Sequence, residues 1–222
     1  MDDPHLPADE HALALRGLRR INFLSRTAAQ MSEPLINLAR RDNLKQLSLL
    51  DIACGGADVP IGVCRIAKQH GITVNLNLLD CSPTALALAS QNAQQLGFTC
   101  STRQADLAGD WADSTYDVVT CSLFLHHLPS MDAVIAVLAK MKVSAKRLVI
   151  VSDLRRSRSG LLAAWVGGRL LSRSPIVHFD APTSVRAAWT IDELRTCAQS
   201  AGMATATIQT SFPQRMRLIY EI

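Results

Sequence analysis

The sequence predicts an α/β protein. Its core is a doubly wound, mostly parallel, seven-stranded sheet with an antiparallel C-terminal hairpin. A helical N-terminal extension precedes the sheet and one insertion interrupts it. Three observations carry this reading. From residue 47, short apolar runs alternate with helix-patterned segments, the pattern of a parallel sheet covered by helices on both faces. Two strand-like runs near the C-terminus are separated only by Pro213 and Gln214, too short a link for a crossover, so they pair antiparallel. Residues 1–45 and 158–185 stand outside the alternation.

Each element follows from its residues. In residues 10–30, Leu13, Leu15, Leu18, Ile21 and Leu24 fall close to helical spacing. A second helix is expected from Ser32, with Glu33-Pro34 in its first turn. Together these make residues 1–45 a helical cap, followed by the α/β domain over 46–222. "LSLLDI" (47–52) is the first strand, and "DVPIGVCRIAKQHG" is a helix stopped by Gly71. "TVNLNLLD" is the second strand, ending at Asp80; the helix after it has Ser82 as N-cap and Pro83 in first position. "TCSTRQAD" is a third strand ending at Asp106, and "YDVVTCSLFL" a fourth with Ser122 at its tip. "MDAVIAVLAKMK" is a helix and "KRLVIVSDL" the fifth strand. Residues 158–185 then begin with an amphipathic segment, "SGLLAAWVGGRLL", and continue as an irregular stretch, "SRSPIVHFDAPTSV". Thr190 and Glu193 form a capping box at the start of the last helix, and "TATIQTSF" with "RMRLIYEI" is the hairpin.

Composition narrows the class. At 222 residues, 48% hydrophobic and 19% charged, the chain is globular and long enough for an ordinary core. A net charge of +4 is too mild to imply nucleic acid. The six cysteines show no metal-ligand spacing and sit mostly in apolar runs, as free thiols of a cytoplasmic protein do. "MDDPHLPADEH" lacks an apolar h-region, so no signal peptide is expected. "GLLAAWVGG" is too short to span a bilayer.

The strand tips point to a ligand. In an open parallel sheet, ligands bind beyond the carboxyl ends of the strands, where strand order reverses. Small residues after the first strand, Ala53 to Ala57, let a ligand approach the backbone and the next helix's free N–H groups. Asp80, 29 residues beyond Asp51, is placed to take two ribose hydroxyls, and Asp106 flanks the same crevice. Asp51 stands just before the glycines, where it would repel a pyrophosphate but attract a cation such as a sulfonium carrying an α-amino group.

"LLDIACGGAD", "LLDCSP", "ADL" and "YDVVTCSLFLHHL" together resemble the class I S-adenosylmethionine-dependent methyltransferases, over about residues 47–157. The hairpin at 204–222 is similar to that family's reversed last strand. The resemblance implies roles residue by residue. Asp51, Ala53 and Gly55 would line the methionine part of S-adenosylmethionine, with Ser122 nearby. Asp80 would hold the ribose and Cys81 lie against the adenine, while Asp106 and Leu107 would meet the adenine edge and face. Ala53 and Ala57 depart from the usual G-x-G-x-G by replacing its first and third glycines. No metal is implied.

The resemblance makes residues 158–185 a substrate lid and the N-terminal helices the other half of the cover. Trp111, Phe124, Trp165 and Phe179 are candidate walls of an apolar acceptor pocket. Arginines 155, 156, 158, 169 and 173 suit either a solvated face or an anionic, carrier-bound acceptor. A hydroxyl acceptor benefits from a base, and the candidates are His126, His127, His178 and Asp153. In "HHL" the first histidine of such proteins is often structural, which favours His127 and His178 over His126. His178 is favoured because the insertion faces the acceptor. Cys54, Cys81 and Cys121 have no base beside them in sequence and read as packing. The function expected is methylation of a small, hydrophobic, phenolic or polyketide-like acceptor on oxygen, in secondary metabolism. The alternatives are an RNA or protein methyltransferase, a non-catalytic S-adenosylmethionine-binding module, and a nucleotide-binding oxidoreductase. The missing third glycine and Asp51 disfavour the last.

Overall fold

The computed structural model describes residues 23–171 and 175–222. The helix expected over residues 10–30 falls largely outside them. In chain order the described elements are α1 (Thr27–Arg41), β1 (Gln46–Ile52), α2 (Asp58–Gln69), β2 (Thr73–Asp80), α3 (Pro83–Gln95), β3 (Cys100–Gln104) and β4 (Tyr116–Ser122). A 3₁₀ turn (Leu125–His127) follows, then α4 (Met131–Ser144), β5 (Ala145–Leu154), α5 (Arg158–Leu171), α6 (Pro175–Ala187), α7 (Ile191–Ser200), β6 (Thr207–Ser211) and β7 (Arg215–Glu221).

The strands form one seven-stranded sheet in the order β3-β2-β1-β4-β5-β7-β6. β1 to β5 are parallel to their neighbours, and β7 runs antiparallel to both β5 and β6. The order reverses between β1 and β4, which opens the crevice at the carboxyl ends. Alternate residues of β1 feed opposite faces. Leu47 and Leu49 pack with Leu35 of α1, Ile61 of α2 and Ala89 of α3. Leu50 and Ile52 pack with Leu138 of α4 and Leu194 of α7. A strand buried on both faces is why this stretch reads as a continuous apolar run.

The expected caps are present. Ser82 Oγ accepts from Ala85 N (3.2 Å), and Pro83 opens α3. Thr190 and Glu193 make a reciprocal capping box on α7. Four boundaries differ from expectation. α1 begins at Thr27, so Pro34 lies inside it. A proline lacks the N–H that would reach back four residues; the freed Gln30 carbonyl accepts instead from Arg217 Nη1, and Arg217 also pairs with Glu33 (2.9 Å). The stretch read as irregular, 172–185, holds α6, with Pro175 opening it and Pro182 inside. Burial of Val177 and Val185 and close packing on α5 at Gly168, where a Cβ would stand 3.4 Å from Ala181 Cβ, override the local proline signals. β3 stops at Gln104, and Asp106 instead caps the turn after it through Ala108 N (2.9 Å). β4 stops at Ser122, and residues 125–127 coil into the 3₁₀ turn.

α1 is clamped to the body at one point of close approach. A Cβ on Gly62 of α2 would lie 2.6 Å from Ala28 Cβ, so only glycine lets the two helices meet there. Gly62→Val should cost about 1–3 kcal/mol by overpacking, measured by chemical denaturation. The same variant should speed hydrogen exchange in Thr27–Arg41 more than in the sheet.

Candidate active site at the strand tips

The tip of β1 is built from backbone that side chains disfavour. Ala53 (φ 51°), Gly55 (φ 52°) and Ala57 (φ 58°) are all left-handed. For the two alanines this costs about 1–2 kcal/mol each. They are the two positions where the motif departs from glycine, so the glycine backbone is kept without the glycines. Leu123, just past the tip of β4, is left-handed too (φ 56°). Such outliers persist where surrounding contacts overdetermine them, and they cluster at ligand sites. Those contacts are explicit here. Cys54 N donates to Leu79 O (3.1 Å) and Ala57 N to Cys54 O (2.8 Å), while Leu123 N donates to Ser152 O (2.8 Å).

Asp51 lies in β1 beside Thr120 of β4 and is buried (1% exposed). Thr120 Oγ1 donates to Asp51 Oδ1 (2.5 Å), but Asp51 Oδ2 has no hydrogen-bond partner. Burial pushes the Asp51 carboxyl up to about 7, opposed by the Thr120 hydrogen bond and reinforced by Asp58 and Asp80. A buried carboxylate with one oxygen unpaired, at the reversal of strand order, fits a cationic ligand group.

Asp80 ends β2 and ties three segments together. Its Oδ2 accepts from Gly55 N (2.9 Å) and its Oδ1 from Ser82 N (2.9 Å). Each oxygen keeps a further lone pair for a ligand hydroxyl. Cys81, next along, is exposed. Asp106 is exposed as well, whereas Leu107 is buried in the core cluster that holds Trp111. The Leu107 carbonyl accepts from Trp111 Nε1 (3.2 Å) and from Lys140 Nζ (3.4 Å). Lys140 also reaches the carbonyls of Ala108 (3.2 Å) and Gly109 (2.6 Å). Asp51, Ala53, Gly55, Asp80, Cys81, Asp106, Leu107 and Ser122 thus all lie at the ends of β1 to β4 or in the turns leaving them.

The candidate bases separate. His126 is buried (7% exposed), with Nδ1 2.6 Å from Asp153 Oδ1, and its backbone N–H donates to Asp153 Oδ2 (3.1 Å). Leu154 N donates to the same carboxylate (2.6 Å). Asp153 is therefore consumed in holding the turn, and it drops out as a base. His127 is exposed beside the buried His126, with ring centroids 4.2 Å apart. α6, which carries His178, packs against this 3₁₀ turn, so His127 and His178 sit on neighbouring elements. Of the proposed acceptor-pocket walls, Phe124 stands beside His127 (centroids 6.3 Å). Trp111 is core, and Trp165 and Phe179 are exposed. The thiols of Cys54, Cys81 and Cys121 are all pushed up, first by burial and then by nearby carboxylates, so none is held as a thiolate.

Three partners were not read from the sequence. Thr120 is a hydroxyl within the apolar run of β4, and that run was its one visible signal. Lys140 lies on α4 and Arg215 opens β7, each far from the motifs they serve. Arg215 is buried and bonded to Thr27 Oγ1. Burial lowers its guanidinium to about 10 against the pull of Asp153 and Asp58, so it stays charged at neutral pH.

Asp51 makes stability fall with pH. Its folded value of about 7 lies above the unfolded 3.8, so between these values the folded chain holds a proton that the unfolded chain has lost. The unliganded protein should therefore lose stability as pH rises from about 4 to about 7. Asp51→Asn should remove that slope and raise the denaturation midpoint at pH 8. Parallel slopes in urea titrations of both proteins would show that Asp51 is not the cause.

Comparison with known proteins agrees with this geometry. Residues 43–166, more than half of the chain, match the family model described as a methyltransferase domain. The ubiquinone biosynthesis O-methyltransferase of Burkholderia ambifaria is 29% identical over 126 residues, covering 56% of this chain and 51% of that protein. The Photobacterium profundum protein of the same name is 32% identical over 126 residues, covering 55% and 50%. The chain thus spans about half the length of these relatives. Among solved structures, the plantazolicin methyltransferase BpumL in complex with S-adenosylhomocysteine superposes with a TM-score of 0.71 at 16% identity, covering 99% of this chain and 91% of that one. The magnesium protoporphyrin IX methyltransferase of Synechocystis PCC 6803, also with S-adenosylhomocysteine, gives 0.58 at 21% identity, covering 99% and 89%. At these identities the two structures bear on the fold. With the family match over residues 43–166, they establish that the chain belongs to the methyltransferase-domain family, the class I S-adenosylmethionine-dependent methyltransferases.

Proposed function

We propose that this chain methylates an oxygen of a small hydrophobic acceptor, phenolic or polyketide-like, in secondary metabolism. The observation that carries the cofactor half of the proposal is Asp51, a buried carboxylate with one oxygen unpaired at the reversal of strand order. Oxygen as the methylated atom is supported by the matching relatives, which are O-methyltransferases by name.

When bound, S-adenosylmethionine supplies an electrophilic methyl group on a sulfonium. Asp51 holds the cationic end of the methionine part by charge, with Ala53, Gly55 and Ser122 offering close-approaching backbone and small side chains. Asp80 receives the ribose hydroxyls, already oriented by the backbone N–H groups of Gly55 and Ser82. Cys81 and Asp106 flank the adenine, and Leu107 is positioned by Trp111 and Lys140. α1 and the α5–α6 pair form the cover, which excludes water and aligns acceptor with methyl group; alignment of this kind can supply roughly 7–11 kcal/mol of a barrier. His178 takes the proton from the acceptor hydroxyl, with His127 as the second candidate. A phenol is mostly protonated at neutral pH, and a positioned base contributes roughly 10²–10⁴-fold. The His126–Asp153 pair fixes the turn against which both sit.

Asp80→Ala should weaken S-adenosylmethionine binding by about tenfold or more in calorimetry, through lost charged hydrogen bonds. An unchanged dissociation constant would remove Asp80 from the site. For the chemical step, single-turnover rates against pH should be compared for the wild-type chain, His127→Ala and His178→Ala. The base variant should lose about 10²-fold or more and flatten the profile. Wild-type rates and profiles in both would leave catalysis to proximity and orientation.

A further inference from the structure

α5 wears its apolar side outward. The buried positions among its described residues are glycines: Gly160 against Ser157 and Gln214, and Gly168 against α6. Its large apolar side chains face solvent, with Leu162 at 66% exposed, Trp165 at 50% and Leu170 at 78%. Helical spacing puts Arg158, Leu162, Trp165 and Arg169 along one stripe. The Arg169 guanidinium lies over the Trp165 ring, 4.2 Å from its centroid. The patch continues past the helix. Ser159 Oγ donates to Gln214 Oε1 (3.1 Å), which places the hairpin turn beside the start of α5, and Phe212 of that turn is 66% exposed.

Charge is concentrated on the same segment. Residues 155–186 hold six arginines and one acidic residue, Asp180, while the whole chain nets only +4. The remainder of the chain is thus slightly acidic.

We propose that the outer face of α5, with the Phe212 turn, docks on an anionic lipid surface. An amphipathic helix with an aromatic and aliphatic face and arginines at its border lies in the headgroup plane of such a surface. Its arginines meet the lipid charge, and Trp165 carries the interfacial chemistry of an apolar ring with a polar edge. A second copy of the chain fits less well. Two-fold pairing of this face would bring the arginines of one copy against those of the other, and like charges across an interface are unfavourable. No described helix is long and apolar enough to cross a membrane, so the contact is peripheral. The inference does not depend on the acceptor's identity.

The test is flotation of the full chain with two kinds of vesicle, phosphatidylcholine alone and phosphatidylcholine mixed with phosphatidylglycerol. The chain should float with the mixed vesicles, be released by high salt, and show a blue shift of tryptophan emission on binding. The double variant Trp165→Ser, Leu170→Ser should partition about tenfold less, with its melting curve and S-adenosylmethionine affinity unchanged. Arg158→Gln with Arg169→Gln should weaken the preference for phosphatidylglycerol. The proposal is overturned if the wild-type chain floats with neither vesicle, or if the double variant floats as well as wild type. A dimer seen by light scattering without lipid, and split by the double variant, would equally overturn it by assigning the face to a second copy.

Discussion

A buried, half-satisfied carboxylate governs the working end of this molecule. Asp51 sits where β1 leaves the sheet between β2 and β4, and Thr120 occupies only one of its oxygens. Apolar strands surround it, so its charge is costly and the group is pushed up to about 7. An apolar residue there would make a more stable sheet. In the proposed function this is a place kept ready for a cation, in which the energy lost to burial in the free protein is regained on binding. The same trade explains the backbone beside it. Ala53 and Ala57 hold left-handed conformations that only a rigid surround can enforce.

The surround is a set of cross-braces between strand tips. Asp80 joins the turn after β1 to the start of α3. Lys140 of α4 pins the turn after β3 through the carbonyls of Leu107, Ala108 and Gly109. Asp153 pins the histidine turn after β4 from β5. Each brace uses a side chain from one strand or helix on the backbone of another. The tips are thereby positioned by the whole sheet and not by their own short turns. Arg215 extends the scheme to α1, since it opens β7, bonds Thr27 of α1 and lies near Asp153 and Asp58.

The α5–α6 pair faces two ways. α6 packs on the turn that carries His127, while α5 turns large apolar side chains to the outside. Under the proposed function, a pair that touches both the turn carrying the candidate base His127 and a lipid surface would give a hydrophobic acceptor a short route between the two. That is the setting in which the proposed acceptor class and the proposed docking face support one another.

The alternation of apolar runs and capped helices, the hairpin around Pro213, and the acids at 51, 80 and 106 were legible in the sequence because each rests on local chemistry. A strand buried on both faces has to be apolar throughout, a helix start needs a cap, and a turn of small residues allows close approach. What the sequence left open depended on contacts between distant segments. Pro34 lies inside α1, and Arg217, far along the chain, takes the carbonyl that the proline leaves without a donor. α6 forms through a proline-bearing stretch because α5 offers it a glycine surface. Asp153 looks like a base in sequence and is a brace in the fold, because His126 arrives beside it. Trp165 looks like a pocket wall and lies on the outside, because helical phase alone does not say which face of α5 meets the body. Local pattern determines the strands, the capped helices and the positions of the acids at 51, 80 and 106; only tertiary packing decides where β3 and β4 stop, that α6 forms, which charges are paired, and which side chains are buried.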